Sequence, residues 1–295
     1  MYLCSRMIAD FVRYLEAERR YSPLTVRNYR HDVEQFLAWL GVDDARFEPQ
    51  RITTDDIREW ILYRTETGRV SAASMNREIS SLRALFRWLL RTGAVGRDVV
   101  HPIPSLRTSQ RLPAFVPESR MNGIVSECEC DSEDFVRERN SLIILLLYTC
   151  GLRLAELVGI DRDDFSADFS SLRIRGKGDK ERRVYFDAKA KLHLQNYLNS
   201  RSDGNPALFV TLDAPHDRLK ISGVEVRLRT LGRCVNLTKI HPHKFRRTLA
   251  TMAIDKGMPI EQLQQLLGHK RIDTTLQYAM VKQSNVKQAH RKYIG

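Results

Sequence analysis

Between Val95 and Pro117 the chain carries Pro102, Pro104, Pro113 and Pro117, with serine and arginine between them. Proline removes a backbone N–H and clashes with the preceding turn, so no helix runs through such a stretch. The composition predicts an extended basic connector over 95–116, and therefore two domains, 1–94 and 117–295. A chain of 295 residues, 42% hydrophobic and 28% charged, is long enough to build two globular bodies. The longest apolar run, Leu142 to Leu147, is far too short to span a bilayer. The N-terminus mixes an acid and two arginines with a short apolar stretch, which predicts no secretory signal. Five cysteines, odd in number and scattered, argue for a reducing compartment rather than a disulfide framework. Cys128-x-Cys130 lacks a second pair of ligands, which argues against a zinc site.

Four helices are predicted before the connector. Met7 to Arg20 sets Ile8, Phe11, Val12 and Leu15 in one stripe. Ser22 caps a second helix with Pro23 at its first position, and Gly41 ends it after Leu40. Thr54 caps a third, roughly Asp55 to Arg64, and Ser71 opens a fourth that runs to about Leu90. Short connections between such helices predict a small bundle. Arg27, Arg30, Arg77, Arg83, Arg87 and Arg91 fall largely off the apolar stripes. For any one of them a solvated polar face explains the position as well as a ligand contact does.

After the connector, helices are predicted over Ser119 to Glu127 and Phe135 to Tyr148, with a turn at Gly151 and a helix opened by Arg153. Leu172 to Arg175 and Arg183 to Phe186 read as two strands joined by Gly176-Lys177-Gly178-Asp179-Lys180, a hairpin signature. Lys177 is the first lysine of the chain. Lys189 to Leu198 and Val224 to Leu231 are helical, and Leu208 to Val210 is a candidate strand.

From His241 to Tyr278 the chain reads HPHKFRRTLATMAIDKGMPIEQLQQLLGHKRIDTTLQY. His243 and Arg246 are three residues apart and share one helix face, so both can bond one anion. Gly257 ends that helix, and Ile260 to Leu267 is the next. Gly268 stops it and leaves His269 in the turn, and Asp273 or Thr274 can cap a last short helix carrying Tyr278. Cationic and donor groups followed by a tyrosine point to chemistry on a phosphodiester.

This stretch resembles the catalytic end of the tyrosine recombinases: His-x-x-Arg, then Leu-Gly-His, then Tyr nine residues on. Thr149-Cys-Gly-Leu-Arg-Leu-Ala-Glu-Leu resembles the segment that supplies that family's first catalytic arginine, and Arg-Gly-Lys-Gly-Asp-Lys-Glu-Arg its lysine hairpin. Glu18 to Arg30 resembles the start of the core-binding domain in Xer-type members. Arg247 stands where many members have a second histidine. The resemblance implies a mainly α fold: a SAM-like four-helix core-binding domain, then a mostly α catalytic domain with a small antiparallel hairpin. It implies a catalytic set of Arg153, Lys177, His243, Arg246, His269 and Tyr278, with Tyr278 the nucleophile. It implies DNA contacts by Arg27, Arg30, Arg77, Arg83, Arg87 and Arg247, and chemistry with no cofactor and no metal. Each residue also has a plainer reading: Arg153 balancing Glu156, Lys177 a solvated turn lysine, His269 at a helix end, Tyr278 in packing. Four motifs in the family's order outweigh those readings together.

The chemistry asks for these residue types. Two arginines can hold both free oxygens of a phosphate as charge grows on them. A phenol in water has a pKa of about 10, and nearby cations favour its phenolate during attack. A lysine can protonate the leaving 5′-oxygen. The product, a 3′-phosphotyrosyl ester, keeps the bond energy for rejoining. The net charge is +12, and +9 of it lies in residues 109–295, which favours a polyanion. The resemblance implies double-stranded DNA with paired inverted sites as partner, a dimer per site and a tetramer in synapsis joined through the C-terminal tail. It also implies a cytoplasmic, nucleoid-associated protein of bacteria or archaea, with integration, inversion or dimer resolution as the role. A scaffold that binds DNA without cutting it, and a relaxing topoisomerase with the same chemistry, are the alternatives.

Overall fold

The structure, a computed structural model, describes residues 7–68, 70–108, 116, 118–176, 181–237, 240–269, 271–278, 290, 291 and 294. The chain divides into two compact units, Met1–Arg111 and Leu112–Gly295.

The first unit holds α1 (Met7–Ala17), α2 (Pro23–Leu40), a 3₁₀ turn (Pro49–Arg51), α3 (Thr54–Glu66) and α4 (Ala72–Arg91). Ser22 and Ser71 accept from Thr25 N and Ser74 N and so cap α2 and α4. Gly41 closes α2 in the left-handed conformation, at φ 70°. The cap of α3 is Thr53 rather than Thr54. Its hydroxyl accepts from Asp56 N, and Asp56 answers by accepting from Thr53 N, a reciprocal box that Thr54 has no acid three residues on to complete. Phe11, Val33, Phe36, Ile57, Trp60 and Phe86 are buried together in this unit's core, each contributing about 1.5–3 kcal/mol of apolar burial for the aliphatic and phenyl side chains.

The expected connector is in large part not free chain. Val95, Val99, Val100 and Ile103 are buried in the first unit's core. Asn76 on α4 donates to Leu106 O at 2.9 Å and accepts from Leu106 N at 2.7 Å, Thr54 donates to Val99 O, and Arg83 donates to Ile103 O. Pro102 and Pro104 keep helix out of this segment, but three valines before them and the isoleucine between them give it surface to bury. Side chains from α3 and α4 satisfy the carbonyls that no helix uses. This segment therefore packs with the first compact unit, which extends to Arg111.

The second unit holds α5 (Glu118–Glu129), α6 (Asp134–Thr149), α7 (Leu154–Val158), a 3₁₀ turn (Arg162–Asp164), β1 (Ser171–Arg175), β2 (Glu181–Tyr185), α8 (Ala188–Asn199), α9 (Ile221–Cys234), α10 (Pro242–Asp255), α11 (Ile260–Leu267) and α12 (Asp273–Leu276). Helix α6 is buried on all faces from Glu138 to Leu147 and packs against α5, α8 and α10, the pattern of a central helix. Strands β1 and β2 pair antiparallel, Leu172 opposite Val184. The candidate strand at Leu208 to Val210 forms only isolated bridges, Asp161 with Ala207 and Val210 with Arg218. A separate apolar cluster of Ala250, Ala253, Leu263 and Leu267 joins α10 to α11, and Tyr278 packs on it. Among the described residues no helix is long and apolar enough to cross a membrane.

Two ion pairs reach into the first unit's core. Asp32 accepts from Arg77 and from Ser81 at 2.6 Å, and Glu78 takes a bidentate bond from Arg64 at 2.9 and 2.6 Å. Glu78 is 3% exposed, so Arg64→Ala strands a buried carboxylate. That substitution is expected to cost about 3–5 kcal/mol, whereas Arg30→Ala, which breaks an exposed pair with Glu34, is expected to change stability far less. Trp39, Trp60 and Trp88 all lie in this unit, so denaturation followed by tryptophan fluorescence reads the difference directly. Equal midpoints for the two variants would contradict it.

Candidate active site

Arg246 is the deepest member of the expected set, 3% exposed. It sits one turn into α10, three residues after His243, as the helical spacing predicted. Its guanidinium donates from Nη1 to Gly151 O and from Nη2 to Leu267 O. Two of its five N–H groups are thus spent on carbonyls, and three have no hydrogen-bond partner among the described residues. Gly151 can come this close only because it has no side chain. It is left-handed, at φ 58°, and a Cβ there would lie 2.8 Å from a Leu249 methyl and 2.9 Å from a Leu267 methyl. Burial, then the charge of Arg153, lower the Arg246 pKa to about 10.

Arg153 is the N-cap residue of α7. It donates from Nη1 to Glu156 Oε1 at 2.8 Å and from Nη2 to Gly268 O at 3.3 Å. Its backbone N donates to Glu156 Oε2 at 2.8 Å. The same carboxylate takes a bidentate bond from Arg182 on β2, both contacts 2.8 Å. Burial opposes the ionisation of Glu156, but the bonds from Arg182 and Arg153 outweigh it and hold the carboxyl at about 2. Sequence reasoning used Glu156 only as a plain balance for Arg153 and gave Arg182 no role. The available signal was the arginine five residues after Lys177, in the strand that leaves the hairpin turn.

Gly268 ends α11 in the left-handed conformation at φ 62°, and its amide and that of His269 bond back to Gln265 O and Gln264 O. This turn fixes His269, whose Nδ1 is 2.8 Å from Thr275 Oγ1. The His269 ring stacks on Tyr278, centroids 6.1 Å apart. Burial first, then Arg246, Arg153 and Arg182, push the His269 pKa down to about 4. Burial, Arg246, Arg247 and Arg153 also lower that of His243. Tyr278 follows α12 rather than riding on it, held by its backbone bond to Thr275 O at 3.0 Å. Asp273 begins α12 and makes no side-chain cap. Arg153, Arg246, His269 and Tyr278 therefore come together, with His243 at the edge. Lys177 and the rest of the hairpin turn, 177–180, lie outside the described residues, as does most of the tail after Tyr278.

The other expected arginines are placed unevenly. Arg247 and Arg27 are exposed and make no ion pair among the described residues. Arg30 pairs with Glu34 at 2.7 Å, Arg77 with the buried Asp32, and Arg87 with Asp98 at 3.9 Å. Arg83 and Arg87 line a groove of the first unit with Arg19, Tyr14, Tyr21 and Tyr29.

Comparison with known proteins also finds two domains. The phage integrase family profile matches residues 115–285, and the phage integrase N-terminal SAM-like domain profile matches residues 8–93. Tyrosine recombinase XerC of Listeria welshimeri is 32% identical, over 96% of each chain. Tyrosine recombinase XerC of Leptospira interrogans is 34% identical over 96% of this chain and 91% of its own. Among solved structures, XerA recombinase is 26% identical over 98% of both chains, with a TM-score of 0.54. The XerH site-specific recombinase bound to palindromic difH substrate, at 18% identity, shares the fold with a TM-score of 0.76 over 98% of this chain and 85% of that one. With each unit matched by its own domain of one family and full-length relatives above 30% identity, the chain belongs to the phage integrase family, as a Xer-like tyrosine recombinase.

Proposed function

We propose that this site-specific recombinase cuts one DNA strand by attack of the Tyr278 oxygen on a phosphodiester, holds it as a 3′-phosphotyrosyl ester, and rejoins it to a new 5′ end. The observation that carries this reading is the convergence of two anchored guanidinium groups, Arg153 and Arg246, beside the stacked His269–Tyr278 pair. Each arginine spends two side-chain N–H groups on protein acceptors and keeps the others for the two non-bridging oxygens. Those bonds strengthen as the phosphorus becomes five-coordinate and its oxygens gain charge. His269 is neutral at pH 7 in the free protein, since its pKa lies at about 4. In the tautomer that donates from Nδ1 to Thr275 Oγ1, Nε2 takes the phenolic proton. His243 adds a donor to the phosphate, and Lys177 gives a proton to the departing 5′-oxygen.

The partner is duplex DNA carrying paired inverted sites, with two protomers per site and four in synapsis, linked through the basic tail 279–295. The XerH relative is bound to a palindromic substrate, which supports a twofold arrangement. Both units contribute to binding: Arg27, Arg30, Arg77, Arg83 and Arg87 from the first and Arg247 from the second. The reaction takes place in the cytoplasm on the nucleoid.

Tyr278→Phe is expected to bind the site and form no covalent adduct with a nicked duplex. A denaturing gel that shows adduct from this variant would remove Tyr278 as nucleophile.

Lys177→Ala is expected to slow cleavage of an ordinary phosphodiester by about 10²–10⁴, the range for a lost general acid. A 5′-bridging phosphorothiolate leaves as a far more acidic thiol and should restore most of the rate. Equal defects on the two substrates would reduce Lys177 to a DNA contact.

DNA should also reverse the histidine shifts. A bound phosphate offsets the repulsion from Arg246, Arg153 and Arg182, so the His269 pKa rises above about 4 in the complex. Between the free and bound values the complex holds more protons than the free protein, so affinity increases as pH falls through that window. Calorimetry near pH 5.5 in buffers of different ionisation enthalpy should show proton uptake that shrinks in His269→Gln. Net proton release would refute the assignment.

A further inference from the structure

Glu156 meets four donors with two oxygens, and Arg182 supplies two of them. The third Arg182 bond runs from Nε to Leu266 O at 3.0 Å, in the last turn of α11. The next carbonyl along, Leu267 O, holds Arg246, and the one after, Gly268 O, holds Arg153. Arg182 is thus bonded to the carboxylate that orients one arginine and to the helix end that orients both. Its side chain is only 12% exposed, and all three bonds are internal. Gly268 leaves room for it, since a Cβ there would lie 3.2 Å from both Cδ and Nη1 of Arg182.

We infer that Arg182 is a positioning residue of the recombination reaction: by fixing the Glu156 carboxylate and the α11 terminus in one planar grip, it sets the Arg153 guanidinium for the scissile phosphate. The inference rests on the reading of Arg153 as a phosphate ligand. The charge balance explains why a second arginine is needed. A carboxylate paired with Arg153 alone would draw that guanidinium onto both of its oxygens, in the bidentate geometry arginine favours. Arg182 takes that geometry instead, leaving Arg153 a single side-chain bond to Glu156 and an orientation in which its remaining N–H groups serve substrate. Lysine cannot substitute, because one ammonium does not span two carboxylate oxygens and a carbonyl with a fixed fork.

The test is a double-mutant cycle on the full-length protein, measuring single-turnover cleavage of a nicked recombination site. Each rate is divided by the fraction of protein that forms adduct at long times, so that loss of fold is not read as loss of rate. Arg182→Gln is expected to cleave about 10²-fold more slowly, the scale of a small misplacement, while DNA affinity stays near that of the unmodified protein. Arg182→Lys should be slow as well. Arg153→Ala with Arg182→Gln should be no slower than Arg153→Ala alone, because Arg182 acts through Arg153. If Arg182→Gln folds poorly, Arg182→Lys, which keeps the charge, completes the same cycle. Multiplicative losses in the double variant would show a general structural role and overturn the inference, as would an unimpaired Arg182→Gln. An unimpaired Arg153→Ala would instead overturn the phosphate assignment of Arg153 on which the inference stands.

Discussion

Three guanidinium groups share one carboxylate in the second unit, and that imbalance governs the site. Arg153 and Arg182 both bond Glu156, and Arg246 is close enough for the same carboxylate to act on it. One negative charge cannot neutralise three positive ones. The surplus shows in the neighbours, with Arg246 down to about 10 and His269 to about 4, each chiefly by burial and then by adjacent cations. Keeping like charges together in a poorly hydrated place is unfavourable in the free protein. A phosphodiester entering among them would relieve the repulsion, and a transition state carrying more charge would relieve it further. That difference between ground and transition state is what accelerates a reaction.

Such a cluster needs rigid anchors, and the fold supplies them as backbone carbonyls. Helix α11 ends at a left-handed glycine, and the carbonyls of Leu266, Leu267 and Gly268 point at Arg182, Arg246 and Arg153 in turn. Carbonyls at a helix C-terminus have no partners within the helix and carry its negative dipole end. One terminus therefore gathers three cations without adding a full negative charge that would repel the phosphate. Gly151 contributes a fourth carbonyl from the loop after α6. The stack of His269 on Tyr278 and the packing of Tyr278 on the α10–α11 cluster tie this tyrosine to the same helix end.

Much of this was legible in the sequence because the spacing was local. His243 and Arg246 on one helix face, Gly257 and Gly268 as helix stops, and the antiparallel pairing of β1 with β2 follow from periods and turn residues. The second use of Glu156 was not legible. An i,i+3 pair of Arg153 and Glu156 reads as a surface salt bridge, and only the fold brings Arg182 from 26 positions away to share it. Arg153 does bond Glu156, as the plain balance predicts, and the same guanidinium also reaches the end of α11 at Gly268 O. The connector misled for a related reason. Proline forbids helix, but the chain can still pack: Val95, Val99, Val100 and Ile103 are buried in the first unit's core, and side chains of α3 and α4 bond its carbonyls, contacts that no periodicity signals.

Counting arginines off an apolar stripe overstates how many stand ready for a phosphate. Asp32 is buried, and Arg77 is the cation that compensates it. Moving Arg77 onto DNA would leave a carboxylate uncompensated in the core of the first unit, a penalty of several kcal/mol, more than one phosphate contact returns. Arg77 can approach DNA only with the N–H groups that Asp32 leaves unused, and its position is then set by the protein. Arg30 faces the opposite condition: its partner Glu34 is exposed, the pair is worth little in water, and the guanidinium can turn from one anion to another at small cost. Arg27 and Arg247, exposed and without an ion pair among the described residues, have no internal bond to give up. The arginines thus divide by what each must break in order to bind. Those with nothing to break can turn to an anion at little cost, and those held by buried carboxylates keep a position set by the protein.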